Sequence, residues 1–314
     1  MLDLAAGIDR RRRGLSELIQ HLLNGVALGA VYALIALGYT MVFGVLKLIN
    51  FAHGDVFMVG AYFGSYMGNA LGLNEHPSVG GAVLTTTVAM LGAAALGTTI
   101  ERLAYRPLRK APRINALITA IGVSMLLQYT GQIVFGADPK FYPQMLPSVD
   151  IALPLELVLS SVQLIVLVAA VALMVGLDFM VRRTKYGLAL RALSQDFEAA
   201  ALMGIPVNRT IAITFAVSAA LAAAAGVLVG VSYPKIDPLM GNLNGMKAFV
   251  AAVLGGIGHI RGAAIGGLFL GLCEEMMTGY GSSTYRDAIA FVVLIIVLLV
   301  RPAGLFGKYE VEKV

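Results

Sequence analysis

Eight long apolar segments, at roughly 18–43, 52–72, 79–100, 115–136, 157–181, 209–232, 246–277 and 286–301, alternate with short stretches that carry most of the charge. A helix needs about 20 mainly apolar residues to cross the hydrocarbon core of a bilayer. The apolar runs are continuous, without the period-two alternation that marks an outer-membrane barrel strand. The pattern predicts an all-α polytopic membrane protein of about eight transmembrane helices. The seventh segment is too long for one straight crossing and is interrupted by "GGIGHIRGAAIGG". It reads as a short half-helix, a break and a proper span, because non-helical backbone at membrane depth survives only where protein or a water-filled cavity shields it. One or two such broken or re-entrant segments are expected.

Composition supports this class. Of 314 residues 58% are apolar and 13% charged, against about a quarter charged in soluble domains. The expected organisation is a basic N-terminal segment at 1–17, one transmembrane domain at 18–307 with a cytoplasmic loop at 182–209, and a C-terminal tail at 308–314. The single cysteine, Cys273, excludes an internal disulfide and a cysteine-based zinc site. No metal-ligating or catalytic constellation stands out, and no soluble module is left to bind nucleic acid.

Basic residues cluster at Arg10–Arg13, at Arg102, Arg106, Arg109, Lys110 and Arg113, and at Arg182, Arg183, Lys185, Arg191 and Arg209. Loops rich in Lys and Arg face the cytoplasm, so the two internal clusters mark that side. The loops "FGADPKFYPQMLPSVDIALPLE" and "SYPKIDPLMGNLNG" should face outward. Three spans between Arg13 and the loop at 101–113 would put the first cluster on the opposite side. Either the N-terminus lies outside despite its arginines, or one early segment is re-entrant. Glu101 and Arg102 read as the headgroup end of a span, and Glu274 and Glu275 as an interface position without a role. Glycines recur four apart, at Gly60, Gly64 and Gly68, Gly226 and Gly230, and Gly267 and Gly271; such stripes let helix backbones approach closely in lipid.

The cytoplasmic loop at 182–209 contains "SQDFEAAALMG". Ser194 is an N-cap candidate, and Asp196 and Glu198 fall in a first turn where negative charge complements the helix dipole. Gly204 suits a left-handed C-terminal cap, and Pro206 prevents continuation. The expected element is a helix of about nine residues, about 14 Å long. So short a helix needs a partner surface. Phe197 with Ala201 on one side and alanines elsewhere fit insertion into a groove; packing on lipid headgroups is the alternative. Upstream, "LINFAHGDV" puts Asn50, His53 and Asp55 beside an apolar run, with Gly54 permitting irregular backbone. Ionisable groups there either line an aqueous pathway or reach headgroup water from an interfacial loop.

Glu198-Ala199-Ala200 followed by Gly204 resembles the EAA loop of ABC-importer permeases. Together with "NGVALGAVYALIALGYTMVFGVLKLINFAHGDVFMVGAYFG", "IERLAYRPLR", "LITAIGVSMLLQ", "KAFVAAVLGGIG" and the terminal "EVEKV", it is similar to the LivH-type permeases of high-affinity branched-chain amino acid ABC transporters, from residue 20 to the end. The departure is "GIGHIRGA", with His259 and Arg261 where small or uncharged residues are expected. The resemblance implies a bacterial inner-membrane subunit moving leucine, isoleucine or valine inward. It implies a second, LivM-type permease, two cytoplasmic ABC ATPases and a periplasmic substrate-binding protein as partners. Phe197, Glu198, Ala199, Ala200 and Gly204 would then form the ATPase-docking coupling helix. No G-x-x-x-x-G-K-[ST] loop occurs in the chain, so ATP and Mg would sit on the partners, with no cofactor on this chain. Urea, short amides or other amino acids are alternative cargoes. A proton-coupled secondary transporter using His53 and Asp55 is the rival mechanism.

Overall fold

The computed structural model describes residues 2–109, 111–153, 157–301 and 303–307. The tail expected at 308–314, with its "EVEKV" motif, and Lys110 of the second basic cluster lie outside the described residues. Eleven α-helices follow one another among the described residues: α1 (Leu2–Leu46), α2 (His53–Ala70), α3 (Val79–Ile100), α4 (Arg113–Phe135), α5 (Ser161–Arg183), α6 (Lys185–Gln195), α7 (Phe197–Leu202), α8 (Val207–Ser232), α9 (Met240–Gly255), α10 (Ile260–Tyr280) and α11 (Arg286–Val300). Four short strands complete the fold: β1 (Lys140–Phe141), β2 (Asp150–Leu153), β3 (Leu157–Ser160) and β4 (Lys235–Ile236). β1 pairs with β4 and β2 with β3, both antiparallel. The all-α polytopic membrane class is therefore observed.

The helices sort into two layers. α1, α2, α8, α9 and α10 form the centre, and α3, α4, α5 and α11 lie around them with large apolar side chains exposed, among them Leu126, Ile133, Phe179 and Leu299. The central layer is built on small residues. A Cβ added at Gly271 would overlap the backbone of Gly29, and one at Gly60 the backbone of Ala223. The α10 stripe thus seats α1, and the α2 stripe seats α8. α3 contributes only one narrow stripe to the core, Thr85, Ala89, Ala93 and Gly97 at four-residue spacing. That spacing is the i, i+4 face of a helix.

One end of the bundle holds the strands. The α2–α3 turn joins it through the Ser78 amide, which donates to the Met145 carbonyl (3.0 Å), and β1 meets β4 where the Tyr142 amide donates to Pro234 (3.2 Å). The opposite end holds α6, α7 and the described basic residues of both internal loops, and is cytoplasmic by its charge. The start of α1 belongs to the strand end, because Gln20 bonds both the carbonyl (3.0 Å) and the amide (3.1 Å) of Val158. Arg10–Arg13 therefore lie on the side opposite the other two clusters. α2 starts inside the bundle after the chain turns back through residues 47–52 and ends at the strand end, where Gly64 and Gly68 lie against Tyr142 and Met145, so the geometry follows the first reading of the N-terminal conflict, an outer N-terminus.

Two expectations change and one holds. The stretch at 240–245, read as outer loop, is the first turn and a half of α9, buried at Met240, Gly241 and Gly245. The long seventh segment is broken as expected, into a short helix of 16 residues and a longer one of 21, which run antiparallel. Positive φ at Gly256 (+94°) and Gly258 (+95°) reverses the chain between them; only glycine adopts such angles freely. Lastly, the loop at 182–209 contains a helix that was not anticipated, α6.

Candidate functional site

α6 and α7 form a two-helix arm at the cytoplasmic end. The corner after α5 is set by Thr184, whose hydroxyl accepts from the Gly187 amide (3.2 Å). Gly187, Leu190 and Leu193 turn inward, and the Tyr186 hydroxyl meets Thr214 on α8 at 2.8 Å. Burial raises the Tyr186 phenol to about 12, with the Thr214 bond acting against the shift. It stays protonated and able to donate throughout the physiological range.

α7 starts one residue after Asp196, whose carboxylate accepts from the amides of Glu198 (2.8 Å) and Ala199 (3.0 Å). Asp196, not Ser194, is the N-cap, because α6 runs on to Gln195 and engages the Ser194 hydroxyl on the Arg191 carbonyl (2.7 Å). The helix has six residues, not nine. Its C-terminus closes as expected on Gly204 at φ +81°. The Gly204 amide donates to Ala201 and the Ile205 amide to Ala200, the paired pattern of a Schellman cap. Phe197, Glu198, Ala199 and Gly204 are exposed, while Ala200 faces inward as the anchor. Leu202 and Met203, which the sequence reading did not single out, are 88% and 83% exposed at the tip. Beside the arm, Arg109 bridges Glu101 and the Asn208 side chain at the start of α8. Glu101, at the cytoplasmic end of α3, is thus buried and paired.

Asn50, His53, Gly54 and Asp55 do come together, in the middle of the molecule. Asn50 accepts from the Tyr105 hydroxyl (2.8 Å). His53 lies between the Ile35 carbonyl (3.2 Å) and the Ser218 hydroxyl (3.3 Å), with the Tyr39 ring edge-on at 4.6 Å. Asp55 accepts from Ser124 at 2.5 Å. Gly54 touches α9 so closely that a Cβ would overlap the Gly241 carbonyl. All four are buried.

A second polar centre went unread in the sequence. Lys247 on α9 contacts Glu274 on α10 at 3.0 Å and Asp287 on α11 at 2.6 Å. Glu274 also takes the Tyr32 hydroxyl (3.0 Å) and Arg286 (3.4 Å). Two cations face two anions, and the side chains of Lys247 and Glu274 are 4% and 0% exposed. The available signal was a lysine inside an apolar run, since such charges are placed inward and paired.

Two cavities flank this core. An outer one of about 410 Å³ opens among α1, α5, α8, α10 and α11 at the strand end, where Asn24, Gln163, Glu275 and Arg286 are among its lining residues. An inner one of about 1070 Å³ lies beside the arm, with Lys47, Arg182, Arg191, His259 and Arg261 in its wall. Neither cavity is lined by Asn50, His53, Gly54 or Asp55. Among the described residues no cluster of three His, Cys, Asp or Glu side chains is arranged to hold a metal.

Residues 21–298 match the family described as "Branched-chain amino acid transport system / permease component". The chain is 43% identical over 301 residues to the high-affinity branched-chain amino acid transport system permease protein LivH of Escherichia coli K12, covering 94% of this chain and 97% of that one. It is 43% identical over 300 residues to BraD of Pseudomonas aeruginosa, a permease protein described in the same terms, covering 94% and 98%. A probable LivH of Methanocaldococcus jannaschii is 29% identical over 291 residues, covering 87% and 88%.

Proposed function

The chain belongs to the branched-chain amino acid transport permease family, and on that premise we propose that it is the inner-membrane subunit of an ABC importer through which leucine, isoleucine and valine enter the cell, gated by ATPases docked on α7. The observation that carries the coupling role is the shape of the arm. A capped helix of six residues is not stable alone, yet this one presents Phe197, Glu198, Leu202 and Met203 outward and keeps only Ala200 for its own fold. Apolar side chains at the tip of a cytoplasmic projection fit a partner's groove. Two ATPase subunits carrying ATP and Mg, a second permease and a periplasmic binding protein complete the machine.

The packing of Asn50, His53, Gly54 and Asp55 supports a buried joint more than an open conduit. These residues tie α2 to α1, α4, α8 and α9, so that a shift of α8 driven from the arm reaches the centre of the bundle. Such a switch between two packings is the usual form of alternating access.

Glu198→Arg tests the docking role. In cells carrying the whole transporter, the variant is expected to reach the membrane at wild-type level while leucine uptake falls at least ten-fold. Wild-type uptake by that variant would remove the docking assignment. Competition with urea, short amides and other amino acids distinguishes the cargo, and uptake that persists without the ATPases but collapses with the proton gradient would favour the secondary-transporter mechanism instead.

A further inference from the structure

We infer that the outer cavity is a zwitterion site: Arg286 takes the carboxylate of an incoming amino acid, Glu275 takes its ammonium, and the apolar wall takes the branched side chain. The inference rests on the importer reading and gives it a site on this chain. A volume of about 410 Å³ falls within the 300–1,000 Å³ of small-molecule sites.

The two charges are presented differently from those buried beneath them. Glu275 is fixed through one oxygen, Oε1, which receives His21 Nδ1 at 3.2 Å and the Asn24 amide at 3.3 Å. Its Oε2 carries no hydrogen bond among the described residues. The Asn24 carbonyl is in turn held by the amides of Gln20 and Gln163, each at 3.2 Å, so the carboxylate is oriented by a polar chain spanning α1 and α5. Arg286 engages Glu274 through Nε alone, at 3.4 Å, and its guanidinium lies 6.0 Å from the centre of the Tyr233 ring. Its terminal nitrogens meet no carboxylate among the described residues, and a guanidinium fork matches a carboxylate with two parallel bonds. Glu274 beneath is matched more closely by Lys247 (3.0 Å) than by Arg286 Nε (3.4 Å), so the core engages one edge of the guanidinium and leaves its terminal nitrogens without a carboxylate among the described residues.

The rest of the lining fits an aliphatic side chain. Ala27, Leu28, Val31, Val162 and Val229 supply apolar surface. Opposite charges with an aliphatic wall favour a molecule that carries both charges and a hydrocarbon group. They disfavour an amine or a carboxylate alone, since each would leave one charged partner unanswered. The cavity opens at the end of the bundle opposite the arm, the side on which a delivering protein would release its cargo.

The test is equilibrium binding of radiolabelled leucine to the purified complete transporter in nanodiscs, without the binding protein. Saturable binding is expected, displaced by isoleucine and valine. 4-Methylpentanoate, which lacks the ammonium, and 3-methylbutylamine, which lacks the carboxylate, should each compete at least ten-fold more weakly. Glu275→Gln should weaken leucine at least ten-fold and abolish the discrimination against 4-methylpentanoate. Ala27→Leu, which narrows the apolar wall and leaves every charge in place, should shift preference from leucine to alanine. Wild-type leucine binding by both variants, or no saturable binding by a complex that hydrolyses ATP and transports, would overturn the site. If that complex still imports leucine, the importer reading stands and only the site falls. If an ATP-hydrolysing complex imports no branched-chain amino acid, the reading of function fails and takes the site with it.

Discussion

Two helices of similar hydrophobicity have opposite fates here. α8 and α11 are both apolar enough to cross a bilayer, yet 72% of the most apolar window of α8 is buried within the protein and only 6% of that of the α11 segment. The difference lies in side-chain size. α8 presents Ala219, Ala222, Ala223, Gly226 and Gly230 to its neighbours, whereas α11 carries Val292, Ile295, Ile296 and Leu299 on its exposed surface. In lipid no hydrophobic force separates helix from solvent. Helices enter the centre because their backbones can approach, or because they carry polar groups that need partners, and large aliphatic residues stay outside where lipid serves them equally well.

This contrast is open to direct attack. The largest effect is expected from Gly271→Leu in the central layer, where the new side chain must occupy the Gly29 backbone. The variant should yield no monodisperse protein in fluorescence-detected size exclusion, whereas Gly122→Leu on exposed α4, with no atom within 4 Å of the added Cβ, should elute as wild type. Lys247→Ala comes next. Leaving Glu274 buried and short of its main cation should cost about 3–5 kcal/mol, read as a clear fall in unfolding temperature. Gly204→Val forces a β-branched residue to φ +81°; about 1–2 kcal/mol of local strain should fray α7 and reduce uptake without lowering membrane levels. Smallest is Asp178→Ala, which removes a half-exposed i, i+4 pair with Arg182 at 2.7 Å and should change stability by less than about 0.5 kcal/mol. Equal losses for Lys247→Ala and Asp178→Ala would erase the distinction between the layers.

The apolar runs made most membrane helices legible, and the Asp196–Gly204 signals made α7 legible, because both are local. The Ser194 misreading is local as well: a serine before acidic residues looks like a cap unless a preceding helix already occupies it. α6 was missed because its buried face, Gly187, Leu190 and Leu193, is interleaved with Lys185, Arg191 and exposed Leu188. The start of α9 was missed because asparagine and glycine in "MGNLNG" read as loop, when Gly241 and Gly245 are there to admit Gly54. The Lys247 centre joins residues 27 and 40 positions apart with Tyr32 from the far end of the chain, and no window on the sequence holds them together. The candidate pathway residues were recognised as a group, but their packing partners on α4, α8 and α9 were beyond reach.

The position of α2 has a consequence for biogenesis. This helix carries His53 and Asp55, is not among the six helices of the described residues that qualify as spans by length and composition, and packs against α8 through Gly60 and Gly226. During synthesis it emerges long before α8. At about 5–20 residues per second, α8 follows roughly ten to thirty seconds later, so until then α2 has α1 and α3 as its neighbours, with Phe63 against Gly92 of α3, and its Gly60 face stays open.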